Sequence, residues 1–251
     1  MKRIKFACLF LFLFAASLSA QDLAKQFQQG NDLYKKKDYA GAAKAYESVV
    51  KKGYSSEGLY FNLANAYFRL NDVPKAVLYY EKAKNLNPND EDIQYNLNLA
   101  KLRTVDKIEP KGEISFYEFM KNIIDFQPSV RWGAYAVVCV WIALLLFALF
   151  LFSQTFIFKK TGFYGGIIFL VFFLVFLALG WERHEMEIEP YAIIMTTESD
   201  VKTSPEDSSG NAFVLHGGTK VKIQENVGEW NYIRLTDGKA GWAKMTDMEK
   251  I

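Results

Sequence analysis

Two stretches of the chain, GNDLYKKKDYAGAAKAY from Gly30 to Tyr46 and ANAYFRLNDVPKAVLYY from Ala64 to Tyr80, follow one pattern 34 residues apart. Gly30 matches Ala64, Asp38 matches Asp72, Ala42 matches Ala76, Tyr46 matches Tyr80 and Val49 matches Ala83. Self-similarity at a fixed period is the signature of stacked units, each unable to bury its apolar face alone. Small residues recur where two helices cross closely, and large aromatics recur where the gap between units must be filled. On this register the first unit is Leu23–Ser56 and the second is Glu57–Asp90, which closes on Asn87-Pro88-Asn89. EDIQYNLNLAKLRT opens a third unit and stops after one helix. Ile93, Leu97 and Ala100 share a face that covers the second unit, so residues 91–104 read as a capping helix. Residues 21–105 are therefore expected to form an all-α domain.

The apolar residues are not spread evenly but gathered into three blocks. Residues 1–20, MKRIKFACLFLFLFAASLSA, carry a basic start, a core too short to cross a bilayer and small residues after it. This is the pattern of a secretory signal peptide, with cleavage expected after Ala20. Residues 132–152 and 162–181 are each free of charge. At 1.5 Å rise per residue, 20 residues reach about 30 Å, the thickness of a bilayer's hydrocarbon core. Trp132 and Trp181 stand at the outer ends, as interfacial aromatics do. The loop between the blocks, 153–161, has Lys159 and Lys160 as its only charges, which assigns it to the cytoplasm. Signal peptide and loop charge agree on one topology: a multi-pass protein of a bacterial inner membrane with both terminal domains in the periplasm. Residues 106–131 read as a linker. Within it Phe116, Phe119, Met120, Ile123 and Ile124 share one helical face, Ser115 and Glu118 fit a capping box, and Pro128 ends the helix. That pattern suits an amphipathic helix in the membrane interface, or equally a last helix packed on the repeat domain.

The helical repeat resembles the tetratricopeptide repeat, over the whole of Leu23–Asp90. The resemblance implies helix–turn–helix units that hold no chemistry and present one face to a peptide or partner helix. The positions it implies are Phe27, Gln28, Asn31, Tyr34 and Lys35 in the first unit, Phe61, Asn62, Asn65, Phe68 and Arg69 in the second, and Tyr95 and Asn96 in the cap. Asn31 and Asn62 fall where peptide-binding members hold the ligand backbone, a task suited to an amide that both donates and accepts. The family's basic carboxylate clamp is replaced by Phe27, Asp92 and Asn96.

After Trp181 the period changes. YAIIM, TKVKIQ, WNYIRL and GWAKM are short, β-branched and aromatic runs separated by turn signals, with Thr236-Asp237-Gly238 as a hairpin and Ser204–Asn211 as a polar loop. Gly218-Thr219, Gly228-Glu229-Trp230 and Asp237-Gly238-Lys239-Ala240-Gly241-Trp242 resemble the pattern of bacterial SH3 domains. The resemblance implies a small all-β barrel over 191–251, with Trp230, Tyr232 and Trp242 as groove candidates and Trp242 mainly holding the barrel.

The net charge of +2 points to no nucleic-acid partner. Cys8 and Cys139 lie in apolar blocks, and His184 and His216 have no ligand-spaced neighbours, so no metal site, cofactor or catalytic constellation is expected. Both histidines read as surface residues. The order of parts resembles the E-type proteins of the Bacteroides aerotolerance operon (BatE-like). It implies work beside von Willebrand-type membrane proteins and another tetratricopeptide protein of that operon. Two functions stay open: a non-enzymatic membrane scaffold, or a tether whose SH3-like domain binds cell-wall peptide while the repeats hold an envelope enzyme.

Overall fold

The computed structural model describes residues 22–108 and 115–251. The expected signal peptide lies outside the described residues, as do the side chains of the Ser115–Glu118 capping box and Phe116. The chain forms two units. One gathers the chain up to Lys84 with Glu91–Ile108 and Tyr191–Ile251; the other holds Asn85–Asp90 and Glu109–Pro190.

Five helices come first: α1 at residues 22–35, then α2 (Tyr39–Lys51), α3 (Glu57–Arg69), α4 (Val73–Leu86) and α5 (Glu91–Leu102). The 34-residue period recurs in their atoms. Lys37 and Asn71 both take left-handed backbone at the turn, with φ of 64° and 61°. The next residue caps the next helix: Asp38 accepts from the Gly41 N–H at 2.9 Å, and Asp72 from the Lys75 N–H at 3.2 Å. The Tyr46 hydroxyl donates to Asn31 Oδ1 at 2.8 Å, and the Tyr80 hydroxyl to Asn65 Oδ1 at 2.6 Å. Phe27 packs on Tyr46 as Phe61 packs on Tyr80. Tyr46, Leu59, Leu63, Leu78 and Tyr80 are fully buried, and α5 closes this core with Leu97 and Ala100.

Seven strands follow the second unit's helices: β1 (Tyr191–Ile194), β2 (Glu198–Lys202), β3 (Asn211–His216), β4 (Lys220–Val227), β5 (Trp230–Arg234), β6 (Ala240–Lys244) and β7 (Met248–Lys250). They form one antiparallel sheet in the order β3-β2-β6-β5-β4-β1-β7. β1 and β2 stand four places apart, about 19 Å on a flat sheet at 4.8 Å per strand. The chain joins Ile194 to Glu198 in four residue steps, at most about 14 Å. The sheet must therefore curl, and it does so around Ala192, Ile194, Val201, Leu215, Val221, Ile223, Ile233 and Ala243. β2 and β3 were not anticipated. In β2 one of the two inward positions is Ser199, whose hydroxyl donates to Asp247, so the apolar half of the alternation is missing from the sequence.

The helical and β parts of this unit share a core. On β1, Ala192 and Ile194 point into the sheet, while Ile193 between them packs into the helical core with Met195 and Ile251. β1 is covered on both faces, which is why it reads as an unbroken apolar run rather than an alternation. Polar contacts flank this seam. The Glu81 carboxylate of α4, 3% exposed, is gripped by Lys101 at 2.6 Å and Lys220 at 2.8 Å. Burial alone would push its carboxyl up; Lys220 and Lys101 outweigh it and hold the pKa at about 2. Asp106 accepts from the His216 N–H at 2.7 Å and the Thr219 hydroxyl at 2.6 Å, and its other oxygen meets His216 Nδ1 at 2.8 Å. Ile108 packs into the sheet's core. Residues 106–108 are thus built into the fold rather than being linker, and His216 is not a free surface side chain. Neither correction was visible locally, because the partners lie 110 and 113 residues apart.

The second unit contains α6 (Ser115–Asp125), α7 (Ser129–Phe152) and α8 (Phe156–Ile188). Both α7 and α8 are long and apolar enough to cross a membrane. They pair along a seam in which Trp132, Ala136, Cys139 and Ala143 are buried at alternating four- and three-residue steps. Small residues let the backbones meet: a Cβ on Gly162 would lie 2.6 Å from the Leu146 carbonyl oxygen. Phe176 stacks on Trp132 at the other end of the seam. The loop expected at 153–161 is shorter, since α8 begins at Phe156 and carries Lys159 and Lys160 in its first turns. Hydropathy marks where charge begins, whereas backbone bonding carries the helix past it. α8 also runs on beyond Trp181 to a polar cluster: Arg183 pairs with Asp125 at 2.9 Å and with Glu187 at 3.2 Å. Glu187 in turn accepts from the Ser129 N–H at 3.0 Å, capping α7 from its neighbour. The Trp132 indole donates to the Ile124 carbonyl, tying α6 to α7. On α6, Ile124 is buried and Phe119 is exposed.

Candidate functional site

The candidate face is built by the first helix of each unit: α1, α3 and α5. Its members have unequal freedom. Phe27 and Phe61 are half-buried against Tyr46 and Tyr80 and serve packing within their units. Asn31 Oδ1 takes two donors, the Tyr46 hydroxyl and Asn62 Nδ2 at 3.1 Å, so its carbonyl is committed. Asn65 Oδ1 is held by Tyr80. Burial pushes the Tyr46 phenol up to about 12, so it remains a neutral donor to Asn31. Asn96 Nδ2 returns to the Asp92 carbonyl one turn back. Tyr34, Lys35, Asn62, Phe68, Arg69 and Tyr95 remain exposed or half-buried, with Tyr95 64% exposed. Arg69 is held by the Tyr34 phenol, and the Arg103 guanidinium lies 3.9 Å from the centre of the Phe68 ring. Arg103 was not among the sequence candidates. Carrying the 34-residue register one step past Arg69 would have found it.

A second concavity lies on the outward face of the sheet. Glu198, Asp200, Asp207 and Asp247 line it with Lys202, Lys244 and Trp230; the cavity holds about 400 Å³. Lys244 pairs with Asp207 at 2.6 Å. Tyr232 and Trp242 pack together with ring centres 5.1 Å apart, on the same face as Trp230. Trp242 thus does not fill the interior. Gly241 and Ala243 point inward there, and a Cβ on Gly241 would come within 2.6 Å of Val201 Cγ1. Strand alternation sends the large ring out because the interior has no room for it. Glu198 and Asp200 escaped the sequence reading because β2 did, and Asp247, in the turn after β6, meets them only through the folded sheet. Among the described residues no group of His, Cys, Asp and Glu is arranged to hold a metal.

The fold and face define the first unit's helices as a helical-repeat interaction module. The tetratricopeptide repeat family matches residues 27–91. The chain is also similar to a TPR repeat-containing protein of Methanocaldococcus jannaschii, 30% identical over 112 residues, which are 42% of this chain and 19% of that protein. The chain thus spans about a fifth of the length of this curated relative. Proteins of this repeat family generally mediate protein–protein contact without catalysing a reaction.

Proposed function

We propose that the chain is a membrane-anchored, non-enzymatic adaptor of the bacterial envelope, whose tetratricopeptide face captures a partner protein. One observation carries the reading. The β segment packs against α4 and the end of α5, while Lys35, Asn62, Arg69 and Tyr95 on the α1–α3–α5 side stay uncovered. Residues before and after the α7–α8 hairpin fold into one unit, which supports an even number of crossings between them. Two spans with the expected signal peptide support a periplasmic setting for that unit in an inner-membrane protein. In the BatE-like setting, the partners are von Willebrand-type membrane proteins and another tetratricopeptide protein, in an aerotolerance or envelope-stress complex. The curled sheet with its Gly-Thr, Gly-x-Trp and Asp-Gly-x-x-Gly-Trp turns supports an SH3-like barrel.

A photo-crosslinker at Lys35 or Tyr95 is expected to yield a discrete adduct in cells, weakened by Asn62→Ala, with none from Lys44 on α2. Adducts from Lys44 alone would overturn the reading. Asn31→Ala is unsuitable as a binding probe, because it strands the buried Tyr46 hydroxyl. For topology, an impermeant thiol reagent should label a cysteine at Ser208 and miss one at Ser153.

The alternative is a cell-wall tether, and the Trp230 cavity favours it. Four carboxylates against two lysines around Trp230 suit the amine of a cell-wall peptide, in the place over the ring that Lys244 takes at 5.4 Å. Co-sedimentation of the full chain in detergent with purified cell wall, lost on Trp230→Ala, would support the tether; no sedimentation would remove it.

A further inference from the structure

Lys35, Arg69 and Arg103 occupy one position of the 34-residue register, at or just past the ends of α1, α3 and α5. Each arginine meets the aromatic residue 35 positions back, in two ways: Arg69 is hydrogen-bonded to the Tyr34 phenol, and Arg103 lies over the Phe68 ring at 3.9 Å. The helix dipole favours a cation at such an end. It does not require that all three be exposed and, among the described residues, without a carboxylate partner in any ion pair. Lys101, on the last turn of α5, is by contrast paired with the buried Glu81. The ring under Arg103 and the phenol beside Arg69 hold these two guanidinium groups before a ligand arrives, which lowers the ordering cost of binding.

We propose that this row is a ladder for an extended acidic segment of a partner protein, with a carboxylate at every third residue. Neighbouring helices pack about 8–10 Å apart. Three residues of extended chain span about 10 Å. Successive carboxylates of such a segment therefore meet successive cations, each through a charge-assisted bond. The ladder stands about one turn along α1 from Asn31 and two turns along α3 from Asn62, and uses none of the positions of the absent carboxylate clamp. It names the chemistry of the partner in the adaptor reading and rests on that reading.

The test uses the full chain in detergent and the fluorescein-labelled peptide EGTEGTEGT, followed by anisotropy at low salt. Controls are QGTQGTQGT and EEEGTGTGT, which has equal charge in the wrong spacing. The spaced glutamate peptide is expected to bind at least tenfold more tightly than the glutamine peptide and severalfold more tightly than the clustered one. Arg69→Gln and Arg103→Gln should each weaken it about fivefold to tenfold, and Lys44→Gln should leave it unchanged. Helical circular dichroism checks that the variants fold. Equal affinity for glutamate and glutamine peptides, or arginine variants that bind like the parent, would overturn the ladder. If both peptides bind equally and Asn62→Ala abolishes both, the ladder fails and the repeat face stands. If the arginine variants lose binding and Asn62→Ala does not, the ladder stands and the amide contact fails.

Discussion

The second repeat and the unfinished third one begin alike and end differently. Asp38, Asp72 and Asp106 sit at 34-residue intervals. Asp38 and Asp72 cap the helices that follow them, α2 and α4. After Asp106 no such helix follows in the described chain, and its carboxylate instead accepts from His216 and Thr219 at the β3–β4 turn. Gly217 at that turn lies close against Pro74, and Ile193, Met195 and Ile251 pack into the helical core. The β segment thus stands in for the missing second helix of unit three. Two units and a lone helix are too few to close a helical stack, which ordinarily needs three or more repeats and a cap. Here the cap comes from a segment of another fold, delivered across the α7–α8 hairpin.

If that comparison holds, the largest effect comes from removing the cap. A chain ending after Pro190 should lose about 5 kcal/mol from the helical repeats, since three large side chains leave their core. Urea titration followed by helical circular dichroism measures it. An unchanged midpoint would show that the repeats stand alone. Glu81→Gln comes next, at about 3 kcal/mol, because it leaves Lys101 and Lys220 around a buried site without their counter-charge.

Acid should reproduce part of that loss. The Glu81 pKa is held at about 2 against an ordinary 4.5, so its contribution is fully present above about 4.5 and fades as the pH falls toward 2. Burial acts to raise Asp106 also, but the Thr219 and His216 bonds prevail and lower it, so its contribution fades in the same direction. The stability difference between the parent and Glu81→Gln should therefore shrink on acidification. A constant difference from pH 6 to pH 2 would contradict the buried ion cluster.

Asp106→Ala is expected to cost about 2 kcal/mol, as three donors lose their acceptor, against about 1 kcal/mol for Asp38→Ala. Equal losses would mean that Asp106 caps nothing beyond its own turn. The smallest effect belongs to Lys82→Ala. Its pair with Glu249 at 3.4 Å is half-exposed on the Glu249 side and should contribute under about 1 kcal/mol.

The sequence by itself determined what periodicity encodes. A 34-residue echo fixes helix pairs, their turns and their capping aspartates, because these depend on contacts within one unit. Two charge-free blocks fix two helices able to span a membrane, because hydropathy is a local property of about twenty residues. Of the candidate face, Tyr34, Lys35, Asn62, Phe68, Arg69 and Tyr95 were legible as exposed or half-buried positions on the register. Which amide groups are committed was not legible: Asn31 looks like Asn62 in the sequence, and the folded structure commits the Asn31 oxygen to both the Tyr46 hydroxyl and Asn62 Nδ2. The tertiary structure alone decided that β1 is covered by two cores. It also paired Glu81 with Lys220 at a separation of 139 residues and gave Asp106 a β turn to hold. Burial and ion pairing depend on which distant surfaces meet, and no local pattern records a meeting that the chain makes only after crossing the hairpin and returning.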